Sequence, residues 1–420
     1  MNKRSRLIVH YTFSKHQIYR IAFTILISPL KSIFRRKEEE RQSLNGFRFF
    51  AITFVLFYHF WLVGKNYVAF PQWLDRIFLN LSSGVDLFFI LSGFLIYGEL
   101  LKSWKIQKEL NLPTFYKNRV FRIFPAYYLF IAITLPVTYS TLKNLLDNPF
   151  FPVADKEKFQ LQLSNWFYDL IYFSNYKYGI NGHTWSLASE WQFYLILPLL
   201  CLTILFKLRK RLRIAFLVLL YFIPLGFRIF LHQEVLEEGE YFTRIYYPLH
   251  TRFDAFIIGM LLAEWLAENQ SKRFNEAFQV LLIIISLSAL VFAHYLIFEP
   301  KDILFLSFRF NILNVGYGIL IALSLISNSL LSNFFSFGWF IPITRVSYGM
   351  YLWHPYVAFK YAGELSKEAF FNNNSIEWSG FLLLFFKVYL NTFLIAVLSY
   401  CAFEYWFLRM KKSLSGKSAG

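Results

Sequence analysis

Arg48 and His59 are the residues whose type and spacing first point to chemistry. Both lie inside NGFRFFAITFVLFYHFWLVG (Asn45 to Gly64), an apolar stretch of roughly membrane-crossing length. Ionisable side chains are costly in such a span and mark a polar path or a functional site. They are eleven positions apart, close to three helical turns, so both project from one face about 16 Å apart along the axis. An imidazole titrates near neutral pH and can accept a proton, whereas a guanidinium is a permanent cation with forked donors for anionic oxygens. The structural alternative is a pairing with a neighbouring helix, and Arg48 alone could snorkel to the surface.

Depth along the expected helices, at about 1.5 Å per residue, brings further ionisable residues to the same levels. His59, Asp86, Glu190, Arg228, Arg252, Asp254 and Arg309, from six different spans, all fall within about 12 Å of one membrane face. Such a layer is tolerable only where its members face one another or water. Near the opposite face, Arg48 meets Arg119 and Arg122 of KNRVFRIFPAYY. The last two are three apart, on one helical face, a spacing that suits gripping phosphate oxygens; basic loop residues with no ligand are the alternative.

The elements that must position these residues are membrane helices. The 420-residue chain is 56% hydrophobic and 21% aromatic, too apolar for a soluble domain. Its net charge of +17 therefore reads as positive loops and not as a nucleic-acid surface. Cys201 and Cys401 lie in apolar spans without metal-ligand spacing, so neither a disulfide framework nor a metal site is expected. Apolar segments near 45–64, 84–101, 121–139, 185–206, 213–232, 246–267, 276–298, 303–328, 341–363 and 380–408 predict an all-α, polytopic bundle of about ten transmembrane helices. Lys and Arg concentrate in alternate loops (102–122 and 207–213), and 233–240 is acidic, which predicts that both termini are cytoplasmic.

Residues 1–43 form a basic segment whose apolar stretch Ile18 to Leu30 is too short to span and lacks a cleavage site, so an interfacial helix is expected. Residues 44–410 form the transmembrane domain and 411–420 a basic cytoplasmic tail. The outer loop of about Ser140 to His183 carries the aromatic run SNWFYDLIYFSNYKYG, expected in the headgroup belt.

Several stretches resemble the acyltransferase family 3 of integral membrane acyltransferases. Arg48 and His59 match its first-helix signature, an Arg, ten residues, then a His. SGVDLFFILSGFLI, RVFRIFPAYY, HTWSLASEWQFYLILPLL, RFDAFIIGMLLA, SYGMYLWHPYV and LSYCAFEYWF follow in order, so the resemblance runs from residue 45 to about 408. It implies a ten-helix bundle in a bacterial cytoplasmic membrane that takes an acyl group, usually acetyl, from acyl-CoA on the cytoplasmic side. It also implies O-acetylation of a glycan or lipid-linked carbohydrate, a polysaccharide modification. Carried over, Arg48, His59, Arg119 and Arg122 fall on positions such enzymes depend on, and Glu190 matches the acid of the W-S-L-x-x-E segment. Some members append an extracellular hydrolase-like domain; none follows residue 420 here, so transfer is expected to be direct or finished by another protein.

Combined, residues and resemblance give a mechanism as expectation. Arg48, Arg119 and Arg122 hold the phosphates of acetyl-CoA, a donor substrate and not a resident cofactor, while His59 deprotonates the acceptor hydroxyl. Asp86 or Glu190 orients the imidazole, and Arg252 or Arg228 stabilises the oxyanion. An Arg252–Asp254 or Arg309–Asp86 ion pair would serve structure equally well. His183 and His354 are expected to contact the acceptor, with a core role for His354 as the alternative, and Glu404 to pair with Arg409. A covalent acyl intermediate on His59 stays open; Ser186, Ser189 and Tyr194 read as packing residues. The rival from another class is a proton-coupled secondary transporter using the same charges, against which no paired halves with broken helices are found. A purely structural membrane partner ranks last.

Overall fold

The computed structural model describes residues 27–414, except 38–39, 69, 150–152, 270–273, 327–328 and 372–376. The described residues are helical with no strand. Ten helices of at least 16 residues are present among them: α1 (Ser43–Gly64), α2 (Gly84–Gln107), α3 (Leu112–Asp147), α4 (Trp185–Thr203), α5 (Lys210–Leu231), α6 (Asp254–Asn269), α7 (Glu276–Tyr295), α8 (Arg309–Ser324), α9 (Ser347–Phe371) and α10 (Trp378–Ser399). Most of Ile18 to Leu30, and the tail beyond residue 414, lie outside the described residues; 27–34 is helical.

Eight stretches, built on α1 to α5, α7, α8 and α10, are long and apolar enough to cross a membrane. The other two spans expected from the sequence correspond to α6 and α9. α6 has only 16 residues, and α9 carries Lys360, Glu364 and Lys367 in its second half. The expected span 246–267 starts late for a physical reason. Pro248 has no N–H to continue a helix, and the chain passes from a π-helical segment (Tyr241–Tyr246) through a 3₁₀ turn (Leu249–Thr251) before α6 begins. A second π-helical segment (Leu304–Phe308) precedes α8 and a third (Tyr400–Glu404) follows α10.

Local chemistry sets the junctions. α2 closes at Lys108, a non-glycine residue in the left-handed region (φ 58°). α3 opens on Asn111, whose side chain accepts from the Thr114 N–H at 2.9 Å, with Pro113 in the first turn.

α1 runs through the centre, against α2, α9, α10, the turn Asn80–Ser83 and the short helices Leu330–Phe335 and Phe340–Arg345. Among the described residues, α2 and α6 meet backbone to backbone. A Cβ on Gly93 would lie 2.1 Å from the Phe256 carbonyl oxygen, and one on Gly259 would lie 2.1 Å from the Ile90 carbonyl oxygen. Only glycine at both positions lets the backbones meet. α5, α7 and α10 turn large apolar side chains outward, among them Leu219, Phe230, Ile284, Val291, Phe386 and Leu398, as a lipid-facing rim requires.

Candidate active site

α1 carries a site at each end. Toward its start, Arg48 lines a cavity of about 700 Å³ together with Arg41, Lys102, Lys105, Glu40 and Glu99. Four cations against two carboxylates make this an anion-attracting space, and its volume falls within the range of small-molecule sites. Arg48 has no carboxylate partner among the described residues, so its donors are free for a ligand. The cavity rises along α2 as far as Phe94, and His59 is not among its lining residues.

The two arginines of α3 diverge. Arg119 is ion-paired with Glu99, a cavity residue, and stacks over Phe115 and Tyr194 at 5.4 and 5.8 Å. Arg122 is exposed and does not line the cavity, although its charge reaches Arg48 and Glu404. Of the expected three-arginine clamp, the structure thus brings Arg48 to the cavity directly and Arg119 through Glu99. The added cations Lys102 and Lys105 lie at the end of α2, where the sequence showed only loop charge.

Between the two ends sits Glu190. Its carboxylate accepts from Ser92 at 2.5 Å and from Tyr194, whose ring underlies Arg119. Glu190 touches no histidine among the described residues, so the expected contact with His59 is not made. Tyr194, read from the sequence as packing, links this acid to the arginine level.

At the other end three histidines from distant parts of the chain converge. His59 of α1 and His354 of α9 stand edge to face with ring centroids 4.6 Å apart, and His183, in the 3₁₀ turn before α4, lies 5.5 Å from His354. Backbone carbonyls, which only accept, assign the neutral tautomers. His59 donates from Nδ1 to Val55 at 2.8 Å, His354 from Nδ1 to Tyr351 at 2.7 Å, and His183 from Nε2 to Leu352 at 3.1 Å. Each ring keeps one lone-pair nitrogen, and that of His354, Nε2, is buried with no partner. The cluster is rich in acceptors and poor in donors, so its complement is a group that brings O–H donors. Tyr351, through Ser186 at 2.5 Å and the His183 carbonyl at 3.1 Å, ties two of the three histidine segments together.

Four of the other charges expected in this layer are committed to one another. Asp86 takes Arg252 at 2.6 Å and Asp254 takes Arg228 at 2.8 Å, all four nearly or fully buried. The expected alternatives, Arg252 with Asp254 and Arg309 with Asp86, are replaced by this crossed pairing. Arg252 begins the turn into α6 and faces back to α2, whereas Asp254 is one turn-edge further and faces α5. Asp86 makes no hydrogen bond to a histidine among the described residues, so the expected imidazole-orienting role has no contact to support it. Nor do Arg252 and Arg228 reach the histidines, each being held by its carboxylate and by backbone carbonyls. No ion pair joins Glu404 to Arg409 among the described residues; Glu404 is buried in the third π-helical segment, with Oε1 lacking a hydrogen-bond partner.

A family model described as an acyltransferase domain matches residues 41–410. Similar proteins include the O-acetyltransferase OatA of Staphylococcus aureus (strain NCTC 8325 / PS 47), 29% identical over 323 residues, which cover 75% of this chain and 50% of that protein. A putative O-acetyltransferase of S. aureus strain MSSA476 is 28% identical over 329 residues, 76% of this chain and 51% of that protein. The chain thus spans about half the length of the curated relatives it matches. No solved structure matches. With the family model covering both the Arg48 cavity and all three histidines, the chain belongs to the acyltransferase family that its motifs resemble.

Proposed function

We propose that this chain is a membrane O-acyltransferase that carries an acyl group, most simply acetyl, from acyl-CoA at the cytoplasmic face to a hydroxyl of a carbohydrate at the outer face of a bacterial cytoplasmic membrane. The observation that carries this reading is the pairing, on one helix, of a basic cavity around Arg48 with a lone-pair-rich histidine cluster around His59. Phosphates suit the first and hydroxyl donors the second.

In this reading Arg48, Lys102 and Lys105 hold the donor's phosphates, with Arg119 poised by Glu99, and Arg122 adds charge at the entrance. The thioester end extends past Glu190 toward His59. His59 Nε2 accepts the proton of the attacking hydroxyl, the new C–O bond forms as the C–S bond breaks, and the proton passes to the departing thiolate, leaving ester and free thiol. His354 and His183 receive further hydroxyls of the acceptor. The cavity ends below His59, so passage of the acyl arm requires side chains near Phe94 and Leu95 to move.

The test uses purified full-length protein in nanodiscs with labelled acetyl-CoA. Labelled donor is expected to bind and to transfer label to a carbohydrate. Replacing Arg119 and Arg122 together by Ala is expected to raise KM for acetyl-CoA about tenfold or more, with little change in the acceptor's KM. No binding of acetyl-CoA by the unmodified protein rejects this reading in favour of transport.

A further inference from the structure

The charges gathered around Phe310 leave one guanidinium group without a carboxylate among the described residues. Three guanidinium groups surround the single ring of Phe310: Arg252 at 4.1 Å, Arg228 at 5.1 Å and Arg309 at 5.4 Å from its centroid. Asp86 and Asp254 neutralise the first two. Arg309, 1% exposed, has no carboxylate partner among the described residues.

Hydrogen bonding separates the three just as sharply. Arg228 spreads four bonds over its nitrogens, to the carbonyls of Ser307 and Thr251, to Asp254 and to Asn311. Arg309 makes one, from Nε to the Ala293 carbonyl at 3.3 Å, and its Nη2 is buried with none. The same neighbourhood collects other buried polar atoms without partners: Asp86 Oδ2, Arg252 Nε and Ser307 Oγ. Buried polar atoms are nearly always satisfied, so a cluster of exceptions around a bare cation marks a place where a polar ligand or water sits.

The backbone here is irregular in a matching way. The π-helical segments Tyr241–Tyr246 and Leu304–Phe308 touch through Tyr241 and Phe305 at 5.3 Å, and Phe305 lies 5.2 Å from the Arg309 guanidinium. Short π-helical insertions recur at functional sites. Contacts lead from here toward the histidines, since Arg252, on the same Phe310 ring, also lies 5.7 Å from the ring of Trp185, two residues from His183.

We propose that the surplus charge at Arg309 binds an anionic group, a carboxylate or a phosphate, on the acceptor whose hydroxyl is acylated at the histidine cluster. The proposal rests on the acyl-transfer reading above. It makes the acceptor an acidic carbohydrate and not a neutral one.

Thermal stabilisation of the purified full chain by D-glucuronate, glucose 6-phosphate and glucose tests this, with acetyl-CoA as a separate ligand. Glucuronate or glucose 6-phosphate is expected to bind the unmodified protein about tenfold more tightly than glucose, and Arg309→Gln to abolish that difference. Preference for one anion identifies carboxylate or phosphate as the group read. Equal binding of all three sugars, no binding of any, or an anion preference that survives in R309Q overturns the proposal. Should R309Q fail to fold, R309K takes its place. A several-fold weaker anion preference is then required, because an ammonium lacks paired donors, and an undiminished one overturns it. Failure of acetyl-CoA alone to stabilise the unmodified protein rejects the acyl-transfer reading and leaves the anion site to be judged by the sugars.

Discussion

A histidine inside a membrane bundle either fills space with its hydrogen bonds met or keeps a nitrogen for chemistry, and the partners on its two nitrogens distinguish these. His294 is of the first kind: Nδ1 contacts the Leu290 carbonyl at 2.7 Å and Nε2 the Ser83 hydroxyl at 2.8 Å. His59 and His354 each spend one nitrogen on a carbonyl and hold the other open. Replacing His59 by Ala is therefore expected to lower kcat by about 10²- to 10⁴-fold at unchanged protein level, the range for loss of a general base, while His294→Ala is expected to act on stability. Single-turnover transfer from labelled acetyl-CoA, read beside a melting curve, checks both. At this scale Arg48 and His59 were legible because a charge inside an apolar run needs a reason. The approach of His183 and His354 was not legible, since they lie 171 residues apart in sequence and meet only through the packing of α1, α4 and α9.

Helices tell apart what the residue list cannot. α2 and α6 approach so closely that each uses a glycine where the other presents a carbonyl oxygen. α2 carries Asp86 in its first turn and lines the Arg48 cavity further along, and α6 carries Glu264, which fixes Arg213 of α5 in a two-bond ion pair at 2.5 and 3.0 Å. Spreading this pair moves both sites. Gly259→Leu is expected to destabilise the protein by about 3 kcal/mol or more, as overpacking against backbone cannot relax by side-chain rotation. Gly226→Leu, with open space at its Cβ position, is expected to change stability by less than about 0.5 kcal/mol. Unfolding in a denaturing detergent series compares the two. Apolar periodicity made the long helices legible. It missed the π-helical stretch before α8 because LFLSF is as apolar as the helix it leads into, and it missed YFTRIY before α6 because only Pro248 gave a local signal there.

For the molecule as a whole, the loop between α3 and α4 must be fastened to the bundle as a cap, and a buried acid does this. Asp169 is fully buried in the loop expected to lie in the headgroup belt. Its Oδ2 accepts the Asn181 N–H at 3.0 Å, and its Oδ1 lies 3.1 Å from the Thr184 hydroxyl, on either side of His183. The Tyr127 hydroxyl of α3 donates to the Asp169 backbone carbonyl at 2.6 Å, so one residue joins cap, bundle and histidine turn. Burial pushes its carboxyl up to about 6 from 3.8, against the opposing pull of its hydrogen bonds. A carboxyl raised in this way binds more protons folded than unfolded between those two values. Its stabilisation is complete below the lower value and is lost as pH rises through the upper one, on the order of 3 kcal/mol in all. The cap is thus expected to be tightest in acid. Amide exchange across 165–184, corrected for intrinsic rates, should show more protection at pH 5 than at pH 7.5, and Asp169→Asn, which cannot ionise, should flatten the difference. Equal protection at both pH values in the unmodified chain would mean that the loop is held by its aromatic packing alone.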